Sequence, residues 1–408
     1  MNFKIFIFVA DFLSNYIFNC YKTISKLEYL KKKNMNLING FRIYNKKTIA
    51  IILWIMLLFL TSQSVVANEE KPKSEKFNAG EMIMEHISDA YEWHIMTIGE
   101  THVSIPLPVI LIYDGKFSTF CSSHFHHGKE TYNGFKIAEE GKHKGKIVHF
   151  STNVSGQEVE DEKLPLDFSI TKMVLSLFIG MFLMGFIFLS ISRSYRKRGV
   201  AAPKGLQSLL EPIIIFVRDD IAKSSIGEKK YQKYLPFLLT IFFFIFLNNL
   251  LGLVPFFPGG VDLTGNIAIT LTLAVFTFLI TTFSGNRAYW KHIVNAPGVP
   301  WWLKIPIPLM PIVELVGVFT KPFVLMVRLF ANITAGHIIA LGFISLIFIF
   351  GEMRPALGYG VSVVSVVFYV FMGLLELLVA FIQAYVFTLL SALYFGMAIE
   401  EHHKEEHH

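Results

Sequence analysis

Several ionisable and amide side chains stand inside two long apolar stretches of this chain, residues 306–350 and 357–400. A charge at the centre of a bilayer costs about 2.5–3.5 kcal/mol on insertion scales, so such residues usually have a function. The residues in question are Glu314, Lys321, Arg328, Asn332 and His337 in the first stretch, and Glu376 and Gln383 in the second. A permanent cation together with titratable acids and a histidine has the chemistry needed to guide an ion.

Arg328 is the most informative of these residues. Its guanidinium stays protonated, so it cannot relay protons, but it can repel cations and attract a carboxylate. Asn332 lies four residues on and shares its helical face. Glu314 lies about 21 Å away towards one end of the helix, and His337 lies about 13.5 Å towards the other, on the opposite face. An arginine reaching for the membrane interface is disfavoured, because a long apolar sequence follows Arg328.

The second stretch carries Glu376 and Gln383 seven residues apart, hence on one stripe of a helix. Glu376 and His337 fall on one side of Arg328 and Glu314 on the other. This arrangement predicts two half-paths for an ion, one on each side of Arg328, separated by its fixed positive charge. For each acid or histidine alone, a structural hydrogen bond is an equally good interpretation.

The composition is that of a membrane protein. Of 408 residues, 53% are apolar and 17% charged, and 40 are phenylalanine, against about 25% charged in ordinary soluble domains. These values exclude a soluble globule, a disordered chain and a coiled coil. The net charge of +6 reports membrane orientation rather than nucleic-acid binding. The two cysteines, Cys20 and Cys121, have no metal-ligand or redox spacing.

The first 67 residues read as an N-terminal extension and a signal-peptide-like segment. After Met35, a possible start of translation, basic residues precede an apolar run from Ile49 to Leu60, and small residues end at Ala67. That order is typical of a signal peptide, and the run is too short to span a bilayer. An additional anchor helix over residues 48–67 is the alternative.

Residues 68–167 are predicted to form a small polar domain on the periplasmic side. Apolar residues between prolines in His102–Tyr113 favour short strands. Six histidines lie between His102 and His149. A metal site is conceivable, but solvated loop histidines are favoured, because no acidic or thiol partner stands at a motif spacing. We expect no metal and no cofactor.

Residues 168–408 are predicted to be the membrane-embedded domain. The chain as a whole is predicted to be an all-α polytopic membrane protein of the bacterial inner membrane, with a small exported α/β or β-containing N-terminal domain. About five helices are expected in the membrane, including a long oblique hairpin, because stretches of about 44 residues exceed the thickness of a bilayer. Basic residues after the first span place the exported domain outside and the C-terminus in the cytoplasm. The predicted spans are 168–191, 234–254, 264–283, 306–350 and 357–400, with an amphipathic segment at 205–224.

Three segments resemble the a subunit of F-type ATP synthases, the stationary proton channel. They are LNNLLGLVPF, KPFVLMVRLFANITAGHIIALGF and LLELLVAFIQAYVFTLLSALY, and the resemblance extends over residues 165–400. It implies that Arg328 faces a ring of c subunits and that a b-subunit peripheral stalk and the lipid bilayer are further partners. It also implies proton-translocation roles for Asn332, Gln383, Glu314, His337 and Glu376.

The sequence departs from the resembling family in three places. His337 and Glu376 exchange the residue types found in many bacterial members, an exchange also found in mitochondrial members. Gly252 stands where some members have an aspartate. The exported domain, residues 68–167, is longer than the usual N-terminus of the family.

The function implied is rotary proton translocation coupled to ATP synthesis, by a channel subunit with no catalytic site of its own. The chain has no GxxxxGK[ST] phosphate-binding loop. A Na⁺-coupled version of the same subunit is one alternative. A stand-alone secondary transporter is disfavoured because no motif is duplicated, and a purely structural membrane anchor would leave Arg328 without a role.

We predict that the mature chain begins near Asn68, because Ala67 ends the signal-peptide-like pattern. N-terminal sequencing of the purified subunit measures this directly. Retention of residues 49–60 would show instead that this segment is an additional membrane anchor.

Overall fold

The computed structural model describes residues 77–400, apart from gaps at 99–100, 127, 129, 139–140, 142, 153–157, 162, 199–204, 256 and 295–308. The signal-peptide-like segment, Met35 and the tail after residue 400 lie outside the described residues. Within the described range, a small domain that contains strands is followed by a bundle of apolar helices.

The small domain begins with a short helix and continues with antiparallel strands. The predicted strands within His102–Tyr113 are observed, as β2 and β3. Three sheets form, with the strand orders β1-β2, β4-β3-β8 and β5-β6-β7. The elements are α1 (Ala79–Ile87), β1 (Glu92–Ile98), β2 (Thr101–Pro106), β3 (Pro108–Tyr113), β4 (Lys116–Cys121), β5 (Phe135–Ile137), β6 (Ile147–Thr152), β7 (Glu158–Glu160) and β8 (Leu166–Asp167).

A polar cluster around Asp161 joins the sheets of this domain. Its carboxylate accepts hydrogen bonds from the Ser151 hydroxyl at 2.5 Å and the Tyr113 hydroxyl at 2.8 Å, and His149 Nδ1 lies 2.6 Å away. The hydrogen bonds from Ser151, His149 and Tyr113 lower the pKa of Asp161 to about 2. His149 also stacks on the Tyr113 ring, so this histidine holds the domain together rather than standing in a solvated loop. Nowhere in the described part of the chain do three His, Cys, Asp or Glu side chains form a metal-binding group.

Five of the helices that follow are long and apolar enough to cross a membrane. The predicted fold class is thereby confirmed. The helix ends lie within four residues of the predicted spans, except that the first of these helices continues to Arg198, seven residues beyond the predicted end. Helix α3 continues through a π-helical segment, Val217–Lys223, into a last turn at Ser224–Ile226. The helices are α2 (Lys172–Arg198), α3 (Leu206–Phe216), α4 (Tyr231–Gly252), α5 (Ile267–Ser284), α6 (Arg287–Val294), α7 (Leu309–Met353) and α8 (Pro355–Ile399).

Helices α7 and α8 form a hairpin of unusual length. Each has 45 residues and runs without interruption, α7 even through Pro322. A helix of that length is about 67 Å long, well beyond the roughly 40–45 Å of a whole bilayer. The two helices are joined through a single residue, Arg354. An unbroken helix of this length fits a bilayer only at a strong inclination, so the predicted oblique hairpin follows from the structure.

Helix α4 is the centre of the bundle. Of its most apolar 18-residue stretch, 72% is buried, against 17% in α7 and 11% in α8. Phe242 and Phe243 on α4 are fully buried, with Phe188 of α2 edge-on against Phe243. The hairpin therefore packs on α4 with only part of its surface and presents a broad apolar face elsewhere, which lipid or another protein must cover.

Helices α2 and α4 approach each other closely at Gly180. A Cβ at this position would overlap the Asn248 Oδ1 atom and lie 3.0 Å from Asn248 Cγ. Asn248 cannot easily move aside, because it is buried and its Nδ2 donates to the Phe244 carbonyl at 2.7 Å.

We predict that Gly180→Ala destabilises the subunit by about 1–3 kcal/mol through this overlap. Gly185→Ala on the same helix is the matched control, because a Cβ there meets no atom within 4 Å. That change should be neutral or stabilising by about 0.5–1 kcal/mol. Thermal unfolding of both purified variants in detergent compares them, and equal midpoints would contradict the predicted overlap.

Candidate functional site

His337 and Glu376 meet between the two helices of the hairpin. His337 Nδ1 on α7 lies 3.0 Å from Glu376 Oε1 on α8, and each side chain is 14% exposed. The sequence predicts that both residues lie on the same side of Arg328, and the structure brings them together. An imidazole and a carboxylate thus stand within proton-transfer distance of each other, partly shielded from solvent.

Gly336 makes this approach possible. A Cβ at Gly336 would lie 2.8 Å from Glu376 Oε1 and 3.2 Å from its Cγ. Any larger residue would push the carboxylate away from His337. The helix backbone itself therefore forms one wall of the site.

Asp262 is a second acidic residue at this site, and sequence reasoning missed it. It lies in the loop between α4 and α5, is 8% exposed, and accepts a hydrogen bond from the Gly265 backbone N–H at 2.8 Å. It interacts electrostatically with both His337 and Glu376. Burial raises the pKa of Asp262, so it holds a proton to a higher pH than an ordinary aspartate.

A signal for Asp262 was present in the sequence. Gly252, where some similar proteins have an aspartate, closes α4, and a Cβ at Gly252 would lie 3.8 Å from the Asp262 Cα. His337 also interacts with the Gly252 backbone carbonyl. The loop thus places Asp262 beside the end of α4, where Gly252 itself supplies no carboxylate.

Arg328 lies on a different face of α7, about 13.5 Å along the helix from His337. Its side chain is exposed, and Asn332, also exposed, shares that face as predicted. The surrounding surface is apolar, with Phe323 60% and Val327 37% exposed. Among the residues that the structure describes, no carboxylate lies within ion-pair distance of Arg328. A permanent cation therefore stands without a counter-ion on an apolar surface.

The other half of the bundle contains Glu314, which is partly buried and lies near Tyr289 of α6. Burial and the Glu314 charge raise the pKa of Tyr289. Nearby, Lys321 Nζ lies 5.7 Å from the centre of the Tyr394 ring. Gln383 on α8 is buried, with 6% of its surface exposed.

A cavity of about 20 Å³ lies on this side of Arg328. That volume is enough for about one water molecule. The buried Thr282 Oγ1 has no hydrogen-bond partner in the described part of the protein, so a water would satisfy it. The lining is mainly apolar, and its polar part comes from hydroxyl and amine groups of Thr277, Thr281, Thr282, Tyr289, Lys321 and Tyr394.

The fold and the site together define a multi-pass membrane protein with titratable groups at two depths and an unpaired arginine between them. A family model described as ATP synthase A chain matches residues 173–396. The chain belongs to this family, and it is therefore a membrane protein of ATP synthesis and ion transport. A second family model, described as a domain of unknown function (DUF8433), matches residues 82–168.

Individual relatives carry the name ATP synthase subunit a. The relative from Chloroherpeton thalassium is 45% identical over 59% of this chain and 70% of its own length. That from Pelodictyon phaeoclathratiforme is 43% identical over 61% of this chain and 72% of its own. That from Myxococcus xanthus is 44% identical over 59% of this chain and 77% of its own.

We predict that His337 and Glu376 depend on each other. His337→Glu or Glu376→His alone places two like groups 3.0 Å apart or closer, which perturbs both proton affinities through their coupling. Either single change should depress growth on a respiratory substrate. The double exchange restores one histidine and one carboxylate and should recover much of the growth.

The double exchange can also contradict the prediction that the two residues depend on each other. If the two single defects simply add in the double variant, the side chains act independently. Co-purification of each variant with the other subunits of the complex shows whether a defect reflects lost assembly instead.

Proposed function

We propose that this chain is the stationary proton-channel subunit of an F-type ATP synthase, with two half-paths separated by Arg328. The observation that carries the proposal is the exposed Arg328 guanidinium, which has no described counter-ion and lies on an apolar face. A charge in that setting needs a partner carboxylate, because an isolated ion away from water is strongly disfavoured. A c-subunit ring that presents carboxylates to this face meets the need.

The orientation of the chain follows from its basic residues. Helix α2 ends in a dense basic group, and basic residues collect in cytoplasmic segments. The end of the bundle that carries the small domain is then periplasmic, and the opposite end with the C-terminus is cytoplasmic. The basic group consists of Arg193, Arg196, Lys197 and Arg198.

In the proposed mechanism a proton enters from the periplasm past Glu376 and His337. It neutralises a carboxylate on the rotating partner. The neutral carboxyl can leave Arg328 and move into lipid, because the desolvation penalty falls mainly on the ionised form. Rotation of the ring carries it away from the entry path.

Release takes place on the cytoplasmic side. The carboxyl meets the second half-path after nearly a full turn and loses its proton towards Glu314, past the cavity to which Thr282 and Tyr289 contribute hydroxyl groups. Arg328 stabilises the ionised carboxylate that returns. It also prevents a proton from passing directly between the half-paths, because a fixed cation repels a mobile one.

Coupling to ATP synthesis requires several protons. One charge that crosses 100 mV supplies about 2.3 kcal/mol, which is too little for one ATP, so rotation must sum several crossings. A b-subunit peripheral stalk has to hold this chain still against the ring. The alternative of Na⁺ coupling uses the same arginine and the same partner carboxylate, and it is tested by the Na⁺ dependence of pumping.

The test of the proposal is Arg328→Ala. We expect ATP-driven proton pumping by inverted membrane vesicles to be abolished, while the complex still assembles. Arg328→Lys should also fail to couple, because an ammonium is a strongly hydrated point charge that can lose its proton when buried. Quenching of a pH-sensitive dye measures pumping.

Arg354→Ala is the matched control, because Arg354 is an exposed arginine at the tip of the same hairpin. Its pumping should stay near that of the unmodified complex. Normal pumping by either Arg328 variant would reject the separating role of this residue. Loss of the catalytic headpiece from the Arg328 variants would indicate an assembly defect, which co-purification measures separately.

A further inference from the structure

The small domain is attached to the helical bundle at several points. The ring of Phe77, which precedes α1, lies 5.2 Å from the ring of Phe348 on α7. The Phe77 backbone N–H donates to Glu352 Oε1, also on α7, at 3.1 Å. At the loop between α4 and α5, Trp93 lies edge-on to Phe257, with ring centres 5.1 Å apart.

A third attachment is made at the start of α2. The Lys172 backbone N–H donates to the Ala90 carbonyl at 2.8 Å, and the Met173 N–H donates to Asp89 Oδ1 at 3.1 Å. The segment that connects α1 to β1 is thus bonded directly to a membrane helix. Contacts with α7, the α4–α5 loop and α2 thus hold the domain in place on the bundle.

This position brings His86 towards His337. Helix α1 runs back along α7 from the Phe348 end, and its nine residues span about 13 Å. His337 lies eleven residues before Phe348, which is about 16.5 Å along α7. His86, at the C-terminal end of α1, therefore reaches the level of His337, and the two interact electrostatically.

His86 is more accessible to water than the buried pair. The residue is exposed at the surface, although partial burial of its ring, followed by the Lys172 charge, lowers its pKa; the His337 and Glu376 side chains are 14% exposed. Lys172 Nζ donates to the His86 backbone carbonyl at 3.2 Å, which fixes the end of α1. The charged or titratable groups that face His86 are Lys172, His94 and His337. Those that face His337 are Glu376 and Asp262, besides His86.

We infer that the small domain forms the periplasmic entrance of the proton path, with His86 as the proton-collecting group in front of His337 and Glu376. The inference rests on the proposed function. One imidazole nitrogen of His86 takes a proton from hydronium or a buffer acid and becomes cationic. His86 then gives a proton to His337, directly or through water, and returns to the neutral form.

The experiment uses the whole ATP synthase in proteoliposomes, with ATP synthesis driven by an imposed potential at a series of entrance-side pH values. In His86→Asn the rate should fall several-fold at alkaline entrance pH, where hydronium is scarce, and little at acid pH. Free imidazole on the entrance side should restore it. His126→Asn is the matched control, since His126 belongs to the same domain and its side chain is 67% exposed; its rate should not change.

Two outcomes overturn the inference: an unchanged rate in His86→Asn at every pH, or a loss that is equal at every pH and not restored by imidazole. The second outcome would give His86 a purely structural role. Arg328→Ala, measured in parallel, distinguishes a failure of the entrance role of His86 from a failure of the proposed function. If it abolishes synthesis while His86→Asn synthesises normally, only the entrance role is wrong. If Arg328→Ala synthesises normally, the proposed function itself is wrong.

Discussion

A charge that cannot be neutralised, placed on an apolar surface, is the constraint on which the rest of the structure depends. Arg328 keeps its proton in any environment, so the protein cannot lower the cost of burying it by a change of protonation. The groups that do change protonation, His337 and Glu376, are kept on another face and about 13.5 Å along the helix. Lipid or another protein has to cover the exposed apolar surface of α7 and α8 around Arg328. In the proposed function, the rotating partner covers it and supplies the counter-ion.

The titratable pair depends on close backbone approach rather than on long side chains. Gly336 lets the Glu376 carboxylate lie against α7, and the end of α4 offers a backbone carbonyl to His337. Asp262 adds a buried carboxyl from a loop. Three separate segments thus supply one group of proton-exchanging side chains, and the small domain adds a fourth segment through His86.

The sequence was sufficient for the helices and for the groups within them. Apolar run length predicted each span, because a helix must satisfy its own backbone in lipid, and helical spacing placed Arg328 and Asn332 on one face. The position of His86 beside the pair could not be predicted, because periodicity describes the faces of one helix and says nothing of which domain covers them. The contact between Phe77 and Phe348 joins residues far apart in the chain, and neither has a distinctive pattern around it.

The tip of the hairpin has a consequence for how this chain can change over evolution. His337 lies seventeen residues before Arg354 and Glu376 twenty-two residues after it, and no flexible loop intervenes. One residue inserted between tip and site on either helix would move that side chain by about 1.5 Å and rotate it by about 100°. Surface loops usually accommodate such length changes. Here the number of residues in the turn and in both helix segments sets where His337 and Glu376 lie. This part of the chain can therefore vary in residue type but hardly in length.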